Sequence, residues 1–213
     1  VCGGDIAVWS GGLVINVSVT GHLNQQVWRL DAACAGDQIL VTGELGGSIL
    51  GRHLSFEPRC DFAAKWIDSN LIRAATDVSD SLSLDLQKMA SASRVGFELD
   101  AQLIPVSAAA LKLSQRPEAT MSALEHALYD GEDFELILAV DPIQVEKLIA
   151  GHKAPPRLTR IGQFTAETTY LLTTNERRHP LSPKGYRHEF APDDLAPPEI
   201  QTETHQGNGP GDS

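Results

Sequence analysis

Two short acidic strings carry the chemistry on offer in this chain. Asp77-Val78-Ser79-Asp80 ends an apolar run and precedes helical spacing, and Gly131-Glu132-Asp133-Phe134-Glu135-Leu136 opens a strand-like run. A third acid, Asp5, follows Gly3-Gly4. Carboxylates presented from strand ends and glycine turns suit a magnesium-nucleotide site, because Mg²⁺ takes hard oxygen ligands and keeps only one or two from the protein beside waters and phosphates. The pattern predicts a phosphoryl-transfer domain. As structure alone, Asp80 would make a helix N-cap worth ~1 kcal/mol against Ala, but Asp77 has no helix to cap. None of Asp5, Asp77 and Asp80 has an obvious cationic partner in its sequence neighbourhood. Asp130, Glu132 and Asp133 repel one another, a cost that a nearby cation or cationic ligand would relieve.

The elements that position these acids are read from periodicity. Leu13, Ile15, Val17 and Val19 alternate as one face of a strand, and Gln38–Gly43 reads as a second strand entering the glycine turn 43–48. The amides of that turn either hold an anion or serve only the turn geometry. Phe62, Trp66, Leu71 and Ile72 suggest a helix over 62–75, and Leu82, Leu86, Met89 and Ala90 one face of a helix starting at the acid pair. A strand fits 95–99, and helices fit 108–113 and 121–128. Phe134, Leu136, Leu138 and Val140 alternate as the inward face of a strand, Asp141-Pro142 starts a helix over 145–150, and Ile161 and 170–172 suggest further strands. Strands and helices without strict alternation predict an α+β (mixed α/β) fold.

Composition narrows the function classes. The 213 residues, 42% hydrophobic, suffice for one sizeable core. Net charge is −11, and five of the excess acids lie in residues 191–213, which hold no Lys or Arg; this segment reads as a disordered acidic tail. The balance argues against a nucleic-acid surface, which needs clustered Lys and Arg. Cys2, Cys34 and Cys60 show no C-x-x-C spacing, so a reduced, cytoplasmic setting is expected, and the seven histidines show no zinc spacing. No apolar run approaches the ~20 residues of a membrane span. The chain enters a strand pattern almost at once and without an initiator Met, so the N-terminal part of a longer protein is expected to be missing.

Taken in order, Gly3-Gly4-Asp5, Ala35-Gly36-Asp37 with Leu40-Val41-Thr42-Gly43-Glu44-Leu45-Gly46, Asp77-Val78-Ser79-Asp80, Gly131 to Leu136 and Lys184-Gly185-Tyr186 resemble thiamine-monophosphate kinase. That family shares a superfamily with aminoimidazole ribonucleotide synthetase and selenophosphate synthetase. The resemblance implies a C-terminal domain of the aminoimidazole ribonucleotide synthetase-like fold over 29–190, with residues 1–28 the end of the N-terminal ATP-binding domain. It implies ATP-dependent phosphorylation of thiamine monophosphate to thiamine diphosphate, with Mg²⁺ as cofactor and a homodimer at full length. It gives Gly4 and Asp5 to ATP and magnesium, Asp77 and Asp80 to magnesium, Ser79 to ATP, and Glu132 and Tyr186 to thiamine phosphate. A family arginine that contacts nucleotide falls on Leu30, with Arg29 beside it. Ser81 stands where the family has glycine: it would crowd a phosphate if the glycine serves close approach, and is harmless if it only opens a helix. No catalytic side chain is implied. The alternatives are a related enzyme acting on another phosphate acceptor, or a non-catalytic module that binds a phosphorylated ligand.

Overall fold

The computed structural model describes residues 11–13, 15–18, 20 and 26–185. The chain divides into two compact units, Val1–Val19 with His188–Ser213, and Thr20–Arg187. In the first, the described residues form no regular element, and Leu13, Ile15 and Val17 are exposed. The strand expected there is not formed among them: alternation alone does not make a strand without a neighbour to take its hydrogen bonds. Gly4, Asp5, Tyr186 and the 191–213 segment lie outside the described residues.

In the second unit, β1 (Gln38–Thr42), β2 (Ile72–Asp77), β3 (Gly96–Asp100), β4 (Leu136–Val140), β5 (Leu158–Thr165), β6 (Tyr170–Thr174) and β7 (Arg177–Pro180) form one sheet in the order β2-β4-β1-β5-β3-β6-β7. Every pairing is antiparallel except β3 with β6. The architecture is the mixed α/β fold expected. Among the described residues six α-helices accompany the sheet: α1 (Arg52–Ser55), α2 (Cys60–Trp66), α3 (Leu82–Ser93), α4 (Ala108–Ser114), α5 (Ala123–Tyr129) and α6 (Val145–Gly151).

Both faces of β1 and β4 are buried. Ile39, Val41, Ile137 and Ala139 join the core with α3 (Leu82, Leu86, Met89) and α5 (Ala127, Leu128). Leu40, Leu138 and Val140 join a second core with α2 (Phe62, Trp66) and α6 (Val145, Leu148). A strand covered on both sides reads as a continuous apolar run rather than an alternation, so Leu136, Leu138 and Val140 mark one of two inward faces. Phe134 is not in the strand at all. Its φ is +51° and that of Glu132 is +61°, left-handed values that a strand does not accommodate.

The helix expected over 62–75 is a correction. It stops at Trp66, a 3₁₀ turn covers Ile67–Ser69, and Asn70 at φ +57° turns the chain into β2. Buried Ile72 and Ala74 flank exposed Arg73, a period of two that the larger apolar residues upstream obscured. β7 carried no apolar signal because all four of its residues are exposed at the sheet edge.

Candidate functional site

β2 delivers Asp77 to the end of the sheet, and the chain turns through Val78, Ser79 and Asp80 into α3. The turn is organised by a residue that sequence reasoning missed. Buried Asp85, in the first turn of α3, accepts the backbone N–H groups of Ser79 (3.0 Å), Asp80 (2.9 Å) and Ser81 (3.1 Å) through one carboxylate oxygen. Amides at a helix start form a ready anion site; here the chain fills it with its own acid. The N-cap is Ser81 rather than Asp80, its Oγ accepting from the Leu84 N–H at 3.0 Å. Ser81 at φ 169° is ordinary extended backbone, so the serine is unstrained in the place where the resembled family has glycine.

Asp80 is not without a cation. Lys88, two turns along α3, reaches back to Asp80 and lies 2.9 Å from Asp85. Burial works against the lysine's charge, but these two contacts outweigh it and raise its pKa. Asp77 has no ion-pair partner among the described residues and its side chain is exposed. Its pKa is raised, first by the loss of solvent on the packed side and then by the charges of Asp85 and Asp80.

The second acidic string docks against the first. Val78 N–H donates to the Glu135 carbonyl (2.8 Å), Glu132 N–H to the Ser79 carbonyl (2.8 Å) and Phe134 N–H to the Val78 carbonyl (2.9 Å). A third segment closes on the same turn, with Ser81 Oγ and Ser83 Oγ both donating to the Lys184 carbonyl, at 2.6 and 2.7 Å. Glycine is required at two contacts. A Cβ at Gly131 would sit 2.6 Å from the Ser79 carbonyl oxygen, and one at Gly185, whose φ is +155°, 2.6 Å from that of Asp80. Asp77, Ser79, Asp80 and Glu132 are thereby brought together. Gly185, the neighbour of Tyr186, is pressed onto the same turn.

The other acids of the second string face inward. Asp133 accepts the Gly46 N–H and Asp130 the Gly47 N–H, both at 2.8 Å, so the amides of the glycine turn also hold the chain's own carboxylates. Ser48 Oγ donates to the Glu132 carbonyl at 2.6 Å. Glu135 is buried, bound by Arg52 and by Arg59 (2.6 and 2.7 Å), and accepts the Thr42 hydroxyl at 2.5 Å. The repulsion expected among these acids is therefore met mainly from within. Asp133 is the exception. Its Oδ1 is buried with no hydrogen-bond partner among the described residues, and its pKa is pushed up to about 7. Burial dominates that shift; the Gly46 N–H and Arg52 oppose it, and Asp130 and Glu135 add to it.

Glu132 alone of the string is exposed. Arg29 forms an exposed two-bond pair with Asp31, at 2.7 and 2.6 Å, and bridges β2 at Ala74, away from the Asp77 end. Gly36-Asp37 is turn structure, with Asp37 accepting the Cys34 N–H at 2.8 Å. Among the described residues, no group of three His, Cys, Asp or Glu side chains is arranged to hold a metal, and no helix is long and apolar enough to cross a membrane. One free carboxylate and one shared with a lysine nonetheless fit an ion that draws most of its ligands from water and phosphate.

The described residues thus form a seven-stranded mixed sheet with the Asp-x-Ser-Asp turn at one strand end clasped by two distant segments. Residues 4–173 match the family model for the C-terminal domain of AIR synthase related proteins, and the chain belongs to that family. It is 39% identical over 189 residues to a thiamine-monophosphate kinase of Rhodopirellula baltica, a match covering 88% of this chain and 58% of that protein. The crystal structure of thiamine-monophosphate kinase from Stenotrophomonas maltophilia K279a aligns at 27% identity with TM-score 0.56, over 69% of this chain and 53% of that one. A structure of AaThiL complexed with AMPPCP and TMP shares the fold at TM-score 0.63 and 22% identity, over 77% of this chain and 55% of that one. The chain thus spans little more than half the length of these relatives.

Proposed function

We propose that this chain is part of an enzyme that transfers the γ-phosphoryl group of ATP to the phosphate of thiamine monophosphate, giving thiamine diphosphate. The observation that carries the reading is the convergence of Asp77, Ser79 and Asp80 with Glu132 and the Lys184-Gly185 strap on one turn. The 39% identical relative is named for that activity. Asp77 and Asp80 would hold Mg²⁺, with Asp5 added by the resemblance. When bound, the ion draws negative charge from the polyphosphate. Lys88 keeps the charge of Asp80 balanced and its carboxylate oriented. Ser79 has spent its N–H on Asp85 and its carbonyl on Glu132, so only its hydroxyl is left for the nucleotide. Glu132 would face the cationic acceptor, and Tyr186 would lie at the same ligand. No general base is assigned, because a phosphate monoester with a second pKa near ~6 is already largely ionised at neutral pH; catalysis rests on positioning and charge neutralisation.

The test is a thiamine diphosphate assay on the longest encoded form and on the 213-residue chain, with ATP, thiamine monophosphate and Mg²⁺. The chain alone should fold but turn over poorly, because a site completed by a further domain loses its positioning without it. In the longer form, Asp77→Asn should cut turnover in a way that extra thiamine monophosphate does not restore. Glu132→Gln should raise KM for thiamine monophosphate about tenfold to a hundredfold, as expected for a lost hydrogen bond to a charged group, with KM for ATP nearly unchanged. Equal turnover in excess EDTA, or a Glu132→Gln defect that falls on ATP instead, would sink the reading.

A further inference from the structure

Phe134 is a bulky residue held at φ +51°, a genuine outlier for an aromatic side chain. Strain of this kind persists only where the surroundings over-determine it. Here they do: Phe134 N–H is tied to the Val78 carbonyl, Glu132 on one side to Ser79 and Ser48, and Glu135 on the other to Arg52, Arg59 and Thr42. What the strain achieves is placement. The Phe134 ring stacks on Phe56, with centroids 4.2 Å apart and planes 29° apart, at the end of α1 rather than inside either core. Phe56 remains 36% exposed, and Ile49 and Leu54 nearby in sequence are exposed at 65% and 83%.

The patch has a charge as well as a shape. Exposed Glu132 lies two residues from Phe134 and exposed Glu57 follows Phe56; neither has an ion-pair partner among the described residues. With buried Glu135 these make three carboxylates against the two guanidiniums of Arg52 and Arg59, both already engaged by Glu135, and Glu57 acts on the charge of Arg59 as well. A half-exposed aromatic pair in a locally negative field attracts a flat organic cation, through the ring quadrupole and the neighbouring acids together. An apolar body without charge gains only the first contact, and an anion is repelled.

Resting on the proposed acceptor, we infer that Phe134 and Phe56 form the platform on which the acceptor's flat cationic ring stacks, with Glu132 as its counter-charge, making the two phenylalanines specificity-determining residues. The 213-residue chain is titrated with thiamine, which carries the ring and its charge without a phosphate, and with thiochrome, which is flat and neutral, with ligand contacts read by saturation-transfer NMR. Thiamine is expected to bind and thiochrome to bind more weakly. Phe134→Leu and Phe56→Leu should each weaken thiamine about threefold to thirtyfold and leave Mg²⁺-ATP affinity unchanged. Phe134→Gly should weaken thiamine as much while the unfolding midpoint falls no further than that of Phe134→Leu, since glycine adopts the positive φ without strain, which offsets its greater freedom when unfolded; that variant separates ring loss from misfolding. Thiamine affinity unchanged in all three variants, no thiamine contact with the wild-type chain, or variants that alter only self-association would overturn the inference. The kinase reading is judged separately. Thiamine held by the two rings without turnover of its monophosphate sinks the activity and leaves the platform, whereas turnover with KM unmoved by Phe134→Leu sinks the platform and leaves the activity.

Discussion

The two acidic strings look alike in sequence and are used in opposite ways. Around Asp77, the outer carboxylates stay at the surface, and a third acid from within the helix, Asp85, does the structural work on the turn's amides. Around Glu132, the neighbours Asp130, Asp133 and Glu135 turn inward to backbone amides and arginines, and a single acid is left outside. The density of acids in a motif is therefore a poor measure of how many meet a ligand. In both places an amide nest that could have taken a phosphate is already closed by the chain itself. In the proposed reading, phosphate recognition would come from other groups, and these carboxylates would act at one remove, by fixing the shape of the turn.

The comparison can be broken most severely at Glu135. Glu135→Ala strips the partner from two arginines and a buried hydroxyl, and removing one side of a buried ion pair costs roughly 3 to 5 kcal/mol. Because Arg52 and Arg59 keep some exposure and can rehydrate, about 3 kcal/mol is the expected loss in urea unfolding. A loss below about 1 kcal/mol would mean that the second string is no more structural than the first.

A smaller effect is expected at Asp133, and its sign is opposite to that of a paired acid. With its pKa near 7 when folded against about 3.9 unfolded, Asp133 is protonated in the folded chain and ionised in the unfolded chain between about pH 4 and 7. The unfolded state there binds fewer protons, so stability falls as pH rises through that window, by up to about 1.4 kcal/mol per pH unit, and levels off above 7. Asp133→Asn should flatten that slope and stabilise the chain at pH 8 by on the order of 2 kcal/mol. Denaturant titrations at pH 5, 6, 7 and 8 test it; an unchanged slope would refute the assignment.

The smallest effect belongs to the first string. Asp77→Asn should change stability by no more than about 0.5 kcal/mol, in the stabilising direction, because it removes a carboxylate disfavoured by its surroundings and by Asp80 and Asp85. Paired with the large loss at Glu135, that null result would establish the division between outward and inward acids; a loss of 2 kcal/mol would erase it.

Much of this was legible in the sequence, but only locally. β1 followed from its apolar run, α3 from the spacing of its apolar residues and α6 from the Asp141-Pro142 start, and the two acidic strings were recognisable by their wording. The partners were not. Arg52 and Arg59 lie 83 and 76 residues from Glu135, and nothing near either end marks the pairing. Asp85 did leave a signal, as an acid in the first turn of a helix followed three residues later by Lys88, a pattern that suits the helix start. The end of the expected 62–75 helix was marked by Asp68-Ser69-Asn70, a cluster of turn formers, but Leu71 and Ile72 extend the apolar pattern beyond it and masked the break.

The strap at Lys184 also gives the site a place in time. Ser81 waits for a carbonyl 103 residues further along the chain, and Ser83 for the same carbonyl 101 residues on. A chain emerging from the ribosome could assemble β1, β2, α3 and β4 well before that strap exists, so the turn bearing Asp77 and Asp80 would be finished only after the sheet has closed. Gln38 and Val140 pair across a comparable span, so order of synthesis rather than loop length puts the strap last. Pulsed amide exchange would find the Lys184 N–H, which donates to Ser83 Oγ at 3.1 Å, slower to gain protection than the middle of β4.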